Sequence, residues 1–354
     1  MLNNRNHGQN HIYFDKHSNN YSNAAVGMLL RAIGHGLKVA YVNCNDSSNK
    51  LTNFLENLSL SYSFIKKFPK FPMDLFTFKK DGKISRTFLP NVEFNTINED
   101  IFYKIINNNY DLVIYDQLNF NNISELKIKN LLTTKNKTTE IIMITNSYGE
   151  FEKIKNLFDL ISIYKYQENK ILGNKKSLIN ITGDGKGKSI FCFGLVIRNF
   201  IEKQDVKLIY FDKEGTQYGE RIFFEALKKW SKENNMYAKF DYVSTGCQRF
   251  DGNTYRTNNT HLDIKEAKEG LMLLKTALIK KTVVIADELN TAISNNLLET
   301  NEISEIFNSI QNQLIISGKK SPSQIINKSN IIITLIDEKH YSINNNNLRK
   351  GIDY

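Results

Sequence analysis

The sequence has few cysteines and no long apolar run. Its three cysteines, Cys44, Cys192 and Cys247, lie far apart, with neither the spacing of a metal site nor that of a disulfide framework. No apolar run approaches the roughly 18 residues that a membrane-spanning helix needs, and residues 1–10 are polar, unlike a secretory signal peptide. We therefore expect a cytoplasmic protein without a membrane-spanning segment.

The chain also lacks any segment in which basic and aromatic residues alternate, although its net charge is +10. A basic protein can bind nucleic acid by releasing counterions from the phosphates. Here the lysines are scattered, and a composition rich in Lys, Asn and Ile accounts for the charge, so we expect no nucleic-acid partner. A basic site would also suit a triphosphate ligand.

A glycine-rich turn lies between an apolar run, residues 178–182, and a helix-like segment, residues 190–200. This order of strand, turn and helix, with Gly-Lys-Ser at residues 187–189, is typical of a phosphate-binding P-loop. Glycines let backbone N–H groups converge on an anion, the serine hydroxyl can bind Mg²⁺, and the helix directs its positive end at the phosphates. Thr182 replaces the usual first glycine, and the alternative is a glycine-rich turn with solvated lysines. The candidate ligands of a nucleoside triphosphate are Gly183, Asp184, Gly185, Lys186, Gly187, Lys188 and Ser189.

An acidic pair, Asp287-Glu288, follows a second apolar run at residues 282–286. The carboxyl end of a strand beside a P-loop strand is where Mg²⁺–triphosphate needs hard oxygen ligands. Such a pair is also common as ordinary solvation of a strand end. Together with Lys188 and Ser189, it predicts a metal-dependent site in which Lys188 and Glu288 are the catalytic residues.

The chain contains two copies of one pattern. Three pairs of segments match in the same order, at a nearly constant separation of about 170 residues: residues 24–31 with 191–198, 110–119 with 281–290, and 141–145 with 314–317. The polar stretch at residues 166–176 is typical of a linker. A length of 354 residues also suits two domains of ordinary size. We therefore predict a first domain at residues 1–168 and a second at residues 169–354.

The first copy lacks the residues that bind phosphate. Asn20-Tyr21-Ser22 stands where the second copy has Gly-Lys-Ser, and Gln117 stands where it has Glu288. Without the lysine, the glycine-rich turn and the carboxylate, Mg²⁺–triphosphate would be poorly held. We expect the first half to be a structural partner of the second.

Apolar strand-like runs alternate with helical stretches in both halves. Such alternation predicts a mostly parallel sheet with helices on both faces. The fold class that we expect is α/β, with two tandem P-loop NTPase (RecA-like) domains related by a pseudo-twofold axis. The strands predicted in the second half lie near residues 178–182, 207–212, 240–244, 282–287, 313–317 and 331–336.

The second half resembles the P-loop class of corrinoid adenosyltransferases, the enzymes that act on cob(I)alamin or cob(I)yrinic acid a,c-diamide. The glycine-rich loop and the quartet Asp-Glu-Leu-Asn are specific in combination. The first half shares the family's segment at residues 31–39. The segments that carry the resemblance in the second half are residues 182–189, 219–221, 287–290, 317–319 and 350–354.

The resemblance implies a definite reaction and a set of ligands. Co(I) of a corrinoid attacks C5′ of ATP, the adenosyl group passes to cobalt and triphosphate leaves, so no protein nucleophile is needed. Backbone N–H groups of the loop, its lysine and Mg²⁺ would stabilise the departing triphosphate. The family's Mg²⁺ ligands match Ser189 and Glu288, and Asp287 is expected at the same metal site, where it would orient metal-bound water. The expected cofactor-binding residues outside the loop are Arg198 and Lys319.

The resemblance also implies partners. Family members are usually homodimers in which an N-terminal segment of one subunit covers the site of the other. The two halves of this chain are therefore expected to form an intramolecular pseudo-dimer, with further oligomerisation left open. The expected small molecules are ATP, Mg²⁺ and a corrinoid substrate, and a reductant protein is a further candidate partner.

Two departures from the family pattern leave other functions open. The family has a Gly-Phe-Thr-Trp loop whose aromatic residues press on the corrin, whereas this chain has Cys247-Gln248-Arg249 there, with Phe250 one place on. Lys319 replaces the arginine of the family's Thr-Gly-Arg turn, and a lysine lacks the bidentate fork for phosphate. The alternatives are an ATP- or corrinoid-binding module without transferase activity and an ordinary P-loop NTPase.

Overall fold

The computed structural model divides into two compact units. Unit 1 comprises Met1–Tyr164, Tyr218–Ala226 and Asp337–Tyr354, and unit 2 comprises Lys165–Gln217 and Leu227–Ile336. The boundary predicted after residue 168 lies close to the first of these divisions, but two later segments of the second half belong to unit 1. The residues that the structure describes are 8–16, 22–44, 49–59, 61–68, 74–78, 84–86, 105, 109–119, 125–146, 151–169, 177–212, 218–234, 236, 238–247, 249, 256, 258–280, 282–339 and 352.

Unit 1 contains a parallel sheet with an antiparallel strand at one edge. Its strands are β1 (Asn10–Asp15), β2 (Val39–Asn43), β3 (Asp74–Phe78), β4 (Ile84–Arg86), β5 (Leu112–Asp116), β6 (Glu140–Thr145) and β7 (Leu160–Glu168), the last of which belongs to the unit up to Tyr164. Its helices are α1 (Asn23–Gly34), α2 (Asn49–Ser59), α3 (Tyr62–Lys67), α4 (Glu125–Thr134) and α5 (Phe151–Ile154), and a 3₁₀ turn follows at Lys155–Leu157. The strand order is β7-β1-β6-β5-β2-β3-β4, in which neighbours pair in parallel from β7 to β3, and β3 and β4 pair antiparallel.

Unit 2 contains a parallel sheet. Its strands are β8 (Ser177–Thr182), β9 (Val206–Tyr210), β10 (Phe240–Ser244), β11 (Val283–Asp287), β12 (Gln313–Ser317) and β13 (Ile331–Lys339), the last of which belongs to the unit up to Ile336. Its helices are α6 (Lys188–Ile201), α7 (Gly219–Glu233, from Leu227 onward), α8 (His261–Leu278), α9 (Leu289–Ser294), α10 (Thr300–Ile306) and α11 (Ser323–Lys328), with a 3₁₀ turn at Phe307–Ser309. The strand order is β10-β9-β11-β12-β8-β13, with parallel pairing throughout.

The two units have the same strand order. When the parallel strands of each unit are numbered along the chain, both sheets are arranged sixth, first, fifth, fourth, second, third, and β4 is an addition to unit 1. The predicted α/β class and mostly parallel sheets are confirmed. The six strands predicted in the second half correspond to β8 to β13. The relation by a pseudo-twofold axis stays a prediction.

Continuous apolar runs form the central strands of both sheets. Every residue of β2, β5, β6 and β11 is buried, as expected for parallel strands that are covered on both faces. In unit 2, α8 buries Leu271 and Leu274 in one apolar cluster with Ile209 of β9 and Val284 of β11. In open α/β sheets of this kind, ligands bind in the crevice at the carboxyl ends of the strands, so these loops are where a ligand of unit 2 is expected.

The first half of α7 is built into unit 1. Arg31 of α1 donates from Nε to Oε2 of Glu220 at 2.9 Å, and both side chains are buried. The same guanidinium donates from Nη1 to the backbone oxygen of Ile352 at 3.3 Å. The ring of Phe223 packs edge-on against that of Phe64, with 5.4 Å between the centroids. Unit 1 therefore supplies the burial partners for this part of the second half.

Replacing Glu220 with alanine is expected to lower the free energy of unfolding by about 3–5 kcal/mol, because Arg31 would lose the buried carboxylate that it binds. Urea denaturation of the full chain measures this loss. Glu233→Ala is the matched control on the same helix, since Glu233 forms an exposed pair with Lys229 and should change stability by less than about 1 kcal/mol. Equal losses in the two variants would contradict a stabilising role for the buried pair.

Candidate functional site

The glycine-rich loop of unit 2 follows β8 and precedes α6. Gly183 and Gly187 have φ angles of 99° and 117°, in the left-handed region that favours glycine. A side-chain carbon at Gly183 would lie 2.2 Å from the carbonyl oxygen of Leu335 in β13, and the N–H of Gly185 donates to that same oxygen at 3.0 Å. The loop therefore needs glycine both for its backbone conformation and for its close packing against β13.

Lys188 begins α6, and its ammonium group lies inside the turn of the loop. Its Nζ donates to the carbonyl oxygens of Gly183 at 2.8 Å and Gly185 at 2.7 Å, and the residue is buried. Gly187, the N-cap residue of α6, has no side chain that could cap the helix. Ser189, the second residue of the helix, is buried beside it. Positive charge and the positive end of the helix thus coincide, as an anion site requires.

The acidic pair ends β11, two strands away from the loop. Asp287 is the last residue of β11 and is fully buried, and Glu288 has a left-handed backbone with φ of 64°. Because β12 lies between β11 and β8 and all three run parallel, the ends of β11 and β8 are about 10 Å apart, twice the spacing of neighbouring strands. The structure thus places the loop and the acidic pair at the same carboxyl edge of unit 2.

The donor atoms at this edge suit Mg²⁺ bound to a polyphosphate. Ser189, Asp287 and Glu288 offer oxygen atoms, the ligands that Mg²⁺ prefers. Mg²⁺ commonly takes one or two carboxylates together with waters and substrate phosphates, instead of a cage made by protein alone. Within the part of the chain that the structure describes, no group of three or more His, Cys, Asp or Glu side chains is placed to hold a metal ion. A Mg²⁺ ion at this edge would share its ligands with the phosphates.

Hydrogen bonds join the acidic pair to the last residue of β12 and to α9. The hydroxyl of Ser317 donates to Oδ1 of Asp287 at 2.6 Å and accepts from the N–H of Glu288 at 3.1 Å. The Glu288 carboxylate also accepts a hydrogen bond from the hydroxyl of Thr291 in α9. Both carboxylates are therefore held in place by hydrogen bonds from hydroxyl groups of the same unit.

A second set of hydrogen bonds joins the loop strand to the same region. Asn180 of β8 donates from Nδ2 to the hydroxyl of Ser321 at 2.8 Å and accepts from Nδ2 of Asn290 at 2.9 Å. The backbone N–H of Ser321 donates to Oγ1 of Thr182 at 3.2 Å. The sequence analysis missed Asn180 and Ser321. The lone amide in the apolar run of β8 is a signal that could have been used, because a buried amide needs hydrogen-bond partners.

The remaining predicted ligands differ in their distance from the loop lysine. Asp184 is exposed and Lys186 is partly exposed, both within the loop. Lys319 follows β12 at the same edge, with an exposed side chain. Arg198 lies in the last turn of α6, about 15 Å along the helix axis from Lys188. The structure does not bring Arg198 together with the loop, so we leave it out of the proposed site.

Comparison with known proteins identifies the family to which this chain belongs. Residues 174–354 match the family model described as ATP:corrinoid adenosyltransferase BtuR/CobO/CobP. The chain belongs to this family. It is also similar to the corrinoid adenosyltransferase of Pseudomonas aeruginosa, with 23% identity over 177 residues that cover 49% of this chain and 81% of the relative. The resemblance drawn from the sequence is confirmed, and the family region contains the loop and the acidic pair.

The helices within the described ranges are too short or too polar to span a lipid bilayer. The three cysteines, all within the described residues, form no disulfide; Cys192 is buried, and Cys44 and Cys247 are partly exposed.

The loop after β10, where this chain departs from the family pattern, is fixed by a buried ion pair. Arg249 donates from Nε to Oδ1 of Asp212 at 2.6 Å, and both side chains are buried. Burial raises the pKa of Asp212, and the hydrogen bond and positive charge of Arg249 oppose that rise. Gln248 and Phe250 lie outside the described residues. The Arg249 guanidinium, which stands at the position of the second aromatic residue in the family's loop, is thus bound to Asp212 near the end of β9.

Unit 1 has a carboxylate at the position equivalent to Asp287. Asp116 ends β5, the fourth parallel strand of its unit, as Asp287 ends β11. The next residue, Gln117, has φ of 58°, close to the 64° of Glu288. The two units therefore share an unusual backbone conformation as well as a strand order.

The Asp116 carboxylate occupies the N-terminal end of α1. Ser22, the N-cap residue, donates its backbone N–H to the two carboxylate oxygens at 3.2 and 3.0 Å and its hydroxyl to Oδ1 at 2.7 Å. The hydroxyl of Tyr41 also donates to this carboxylate. Tyr21, which aligns with the loop lysine, lies outside the described residues. The strand-end carboxylate of unit 1 is thus held by the N-cap residue of α1 and by Tyr41.

Replacing Asp116 with asparagine is expected to change how stability depends on pH. Burial raises the pKa of Asp116 from 3.8 to about 6, although hydrogen bonds from Tyr41 and Ser22 oppose the rise. In the unfolded chain the Asp116 carboxyl group loses its proton at a lower pH than in the folded chain. The wild type should therefore lose about 3 kcal/mol of stability as pH rises from about 4 to about 7. The variant cannot titrate there and should lack this loss. Urea denaturation across that range measures the free energy of unfolding of both proteins. A difference between them that does not change with pH would contradict the raised pKa of Asp116.

Proposed function

We propose that this chain transfers the 5′-deoxyadenosyl group of ATP to Co(I) of a corrinoid and releases triphosphate. The observation that carries the proposal is the position of Lys188 and Asp287-Glu288 at one edge of unit 2, within the family-matched region. Co(I) would donate an electron pair to C5′, the C5′–O bond would break with its electron pair on triphosphate, and cobalt would become Co(III). Because the corrinoid is the nucleophile, the chain needs only to bind and orient.

The loop would bind the leaving group. Backbone N–H groups at residues 183–187, the N-terminus of α6 and the ammonium of Lys188 would stabilise charge that develops on the triphosphate. Ser189, Asp287 and Glu288 would hold Mg²⁺, which supplies further positive charge to the polyphosphate when it is bound. Lys319, exposed at the same edge, would contact phosphate as a point charge.

We infer that unit 1 binds no nucleotide. Unit 1 has Asn20-Tyr21-Ser22 where unit 2 has Gly-Lys-Ser, and Gln117 where it has Glu288, so it lacks the ammonium group and one of the two carboxylates that would hold Mg²⁺–triphosphate. The shared strand order and the repeated segments support a tandem duplication in which the first copy became a structural partner. Its contacts with Glu220 and Phe223 support that role.

Anaerobic incubation with ATP, Mg²⁺ and cobalamin already reduced to Co(I) tests the proposed reaction. The expected result is the absorbance spectrum of an alkylcobalamin together with one intact triphosphate for each adenosyl group transferred. Release of phosphate or diphosphate without a cobalt–carbon bond would identify an ordinary P-loop NTPase instead. ATP binding without any product would identify a binding module.

A further inference from the structure

The backbone and side chain of Glu288 are both constrained. Its φ of 64° lies in the left-handed region, which residues other than glycine rarely adopt unless their surroundings impose it. Its N–H donates to Oγ of Ser317 at 3.1 Å, and its carboxylate accepts from the hydroxyl of Thr291. The structure thus restrains both the backbone and the carboxylate of this candidate metal ligand.

Thr291 also holds the turn after β12. Its Oγ1 accepts from the backbone N–H of Lys319 at 3.0 Å. The turn approaches so closely that a side-chain carbon at Gly318, whose φ is 133°, would lie 2.7 Å from Oγ1 and 2.5 Å from the backbone nitrogen of Thr291. A hydroxyl can donate once while it accepts. This one hydroxyl therefore connects the carboxylate after β11 with the backbone after β12.

We propose that Thr291 is a positioning residue that fixes the Glu288 carboxylate and the turn carrying Lys319 in one arrangement for Mg²⁺–triphosphate. The proposal rests on the proposed function for the role of the metal, whereas the hydrogen bonds belong to the chain alone. Residues that hydrogen-bond to a metal ligand and so orient it commonly change metal affinity by about 10–100-fold when they are removed. Thr291 also lies in the first turn of α9. Its variants must therefore distinguish a role in positioning the Glu288 carboxylate from a role in stabilising that turn.

Thr291→Val in the full-length chain removes the hydroxyl while keeping nearly the same shape. We expect the Mg²⁺ concentration needed for tight ATP binding, measured by calorimetry, to rise by about 10–100-fold, with ATP binding in EDTA unchanged. Hydrogen exchange at the Lys319 amide should become faster in the ligand-free chain, because that amide loses its acceptor. Thr291→Ser should restore both properties.

Thr276→Val is the matched control, since this exposed hydroxyl donates to the backbone oxygen of Met272 within α8. It should leave the Mg²⁺ dependence and the exchange of Lys319 as they are in the wild type. Thr291→Ala gives a second variant without the hydroxyl, and thermal melting verifies that each variant is folded.

Two results would overturn the proposal, and they are distinguishable. Normal Mg²⁺ dependence in Thr291→Val would show that the contact stabilises only the turn, and the proposed function would stand. A wild-type chain that binds ATP equally well with and without Mg²⁺ would overturn the metal assignment of the proposed function, and this inference with it.

Discussion

Replacing Lys188 with alanine is expected to weaken ATP binding by at least about 100-fold. The ammonium group is buried inside the loop, where it donates to the carbonyl oxygens of Gly183 and Gly185. Hydrogen bonds to charged groups contribute about 1.5–3 kcal/mol each, so losing the two that hold the loop in its phosphate-binding shape corresponds to a factor of about 100 or more. Isothermal titration calorimetry with ATP and Mg²⁺ measures this loss.

Lys229→Ala is the matched control for that experiment. Lys229 lies on α7 of unit 2, and its side chain is 71% exposed. This substitution removes one positive charge, as Lys188→Ala does, but at a position outside the loop. ATP affinity should therefore stay at the wild-type value. Normal binding in Lys188→Ala would show that the nucleotide does not bind at this loop.

Replacing Glu288 with glutamine should lower the rate of adenosyl transfer by up to about 100-fold. Glutamine keeps the length of the side chain and can accept the hydrogen bond from Thr291, but it carries no negative charge for Mg²⁺. The equivalent residue in unit 1 is already Gln117, with nearly the same φ. ATP binding without Mg²⁺ should be preserved. A Mg²⁺ titration of the initial rate, with Co(I) cobalamin as the substrate, measures the loss.

Glu302→Gln is the control for the change of charge. Glu302 accepts from the backbone N–H of Glu299 at the start of α10, at 3.2 Å, and takes no part in the proposed site. The Mg²⁺ dependence of this variant should match that of the wild type. An equal loss of rate in both variants would remove the reason to assign Glu288 to the metal.

The loop and the acidic pair could be predicted because their signals are local in the sequence. A strand, a glycine-rich turn and Gly-Lys-Ser follow one another directly, and Asp287-Glu288 follows an apolar run. The strands of unit 2 were predictable for the same reason, since buried parallel strands are continuous apolar segments. Such signals depend only on neighbours along the chain.

Contacts between distant residues left no such signal. Nothing near Glu220 indicates that its partner is Arg31, and nothing near Asp116 indicates that it bonds to Ser22. The segment at residues 218–226 was accordingly assigned to the second domain, whereas the structure places it in unit 1. Arg198 was expected among the cofactor-binding residues, although helix geometry places it about 15 Å along α6 from Lys188.

A structure determined with ATP and Mg²⁺, in the absence of Co(I), tests the central claim most directly. The account predicts triphosphate density along residues 183–189, with Mg²⁺ beside Ser189 and Glu288, and no nucleotide at Ser22 and Asp116 of unit 1. ATP bound at the N-terminus of α1, or an empty glycine-rich loop at saturating ATP, would contradict it.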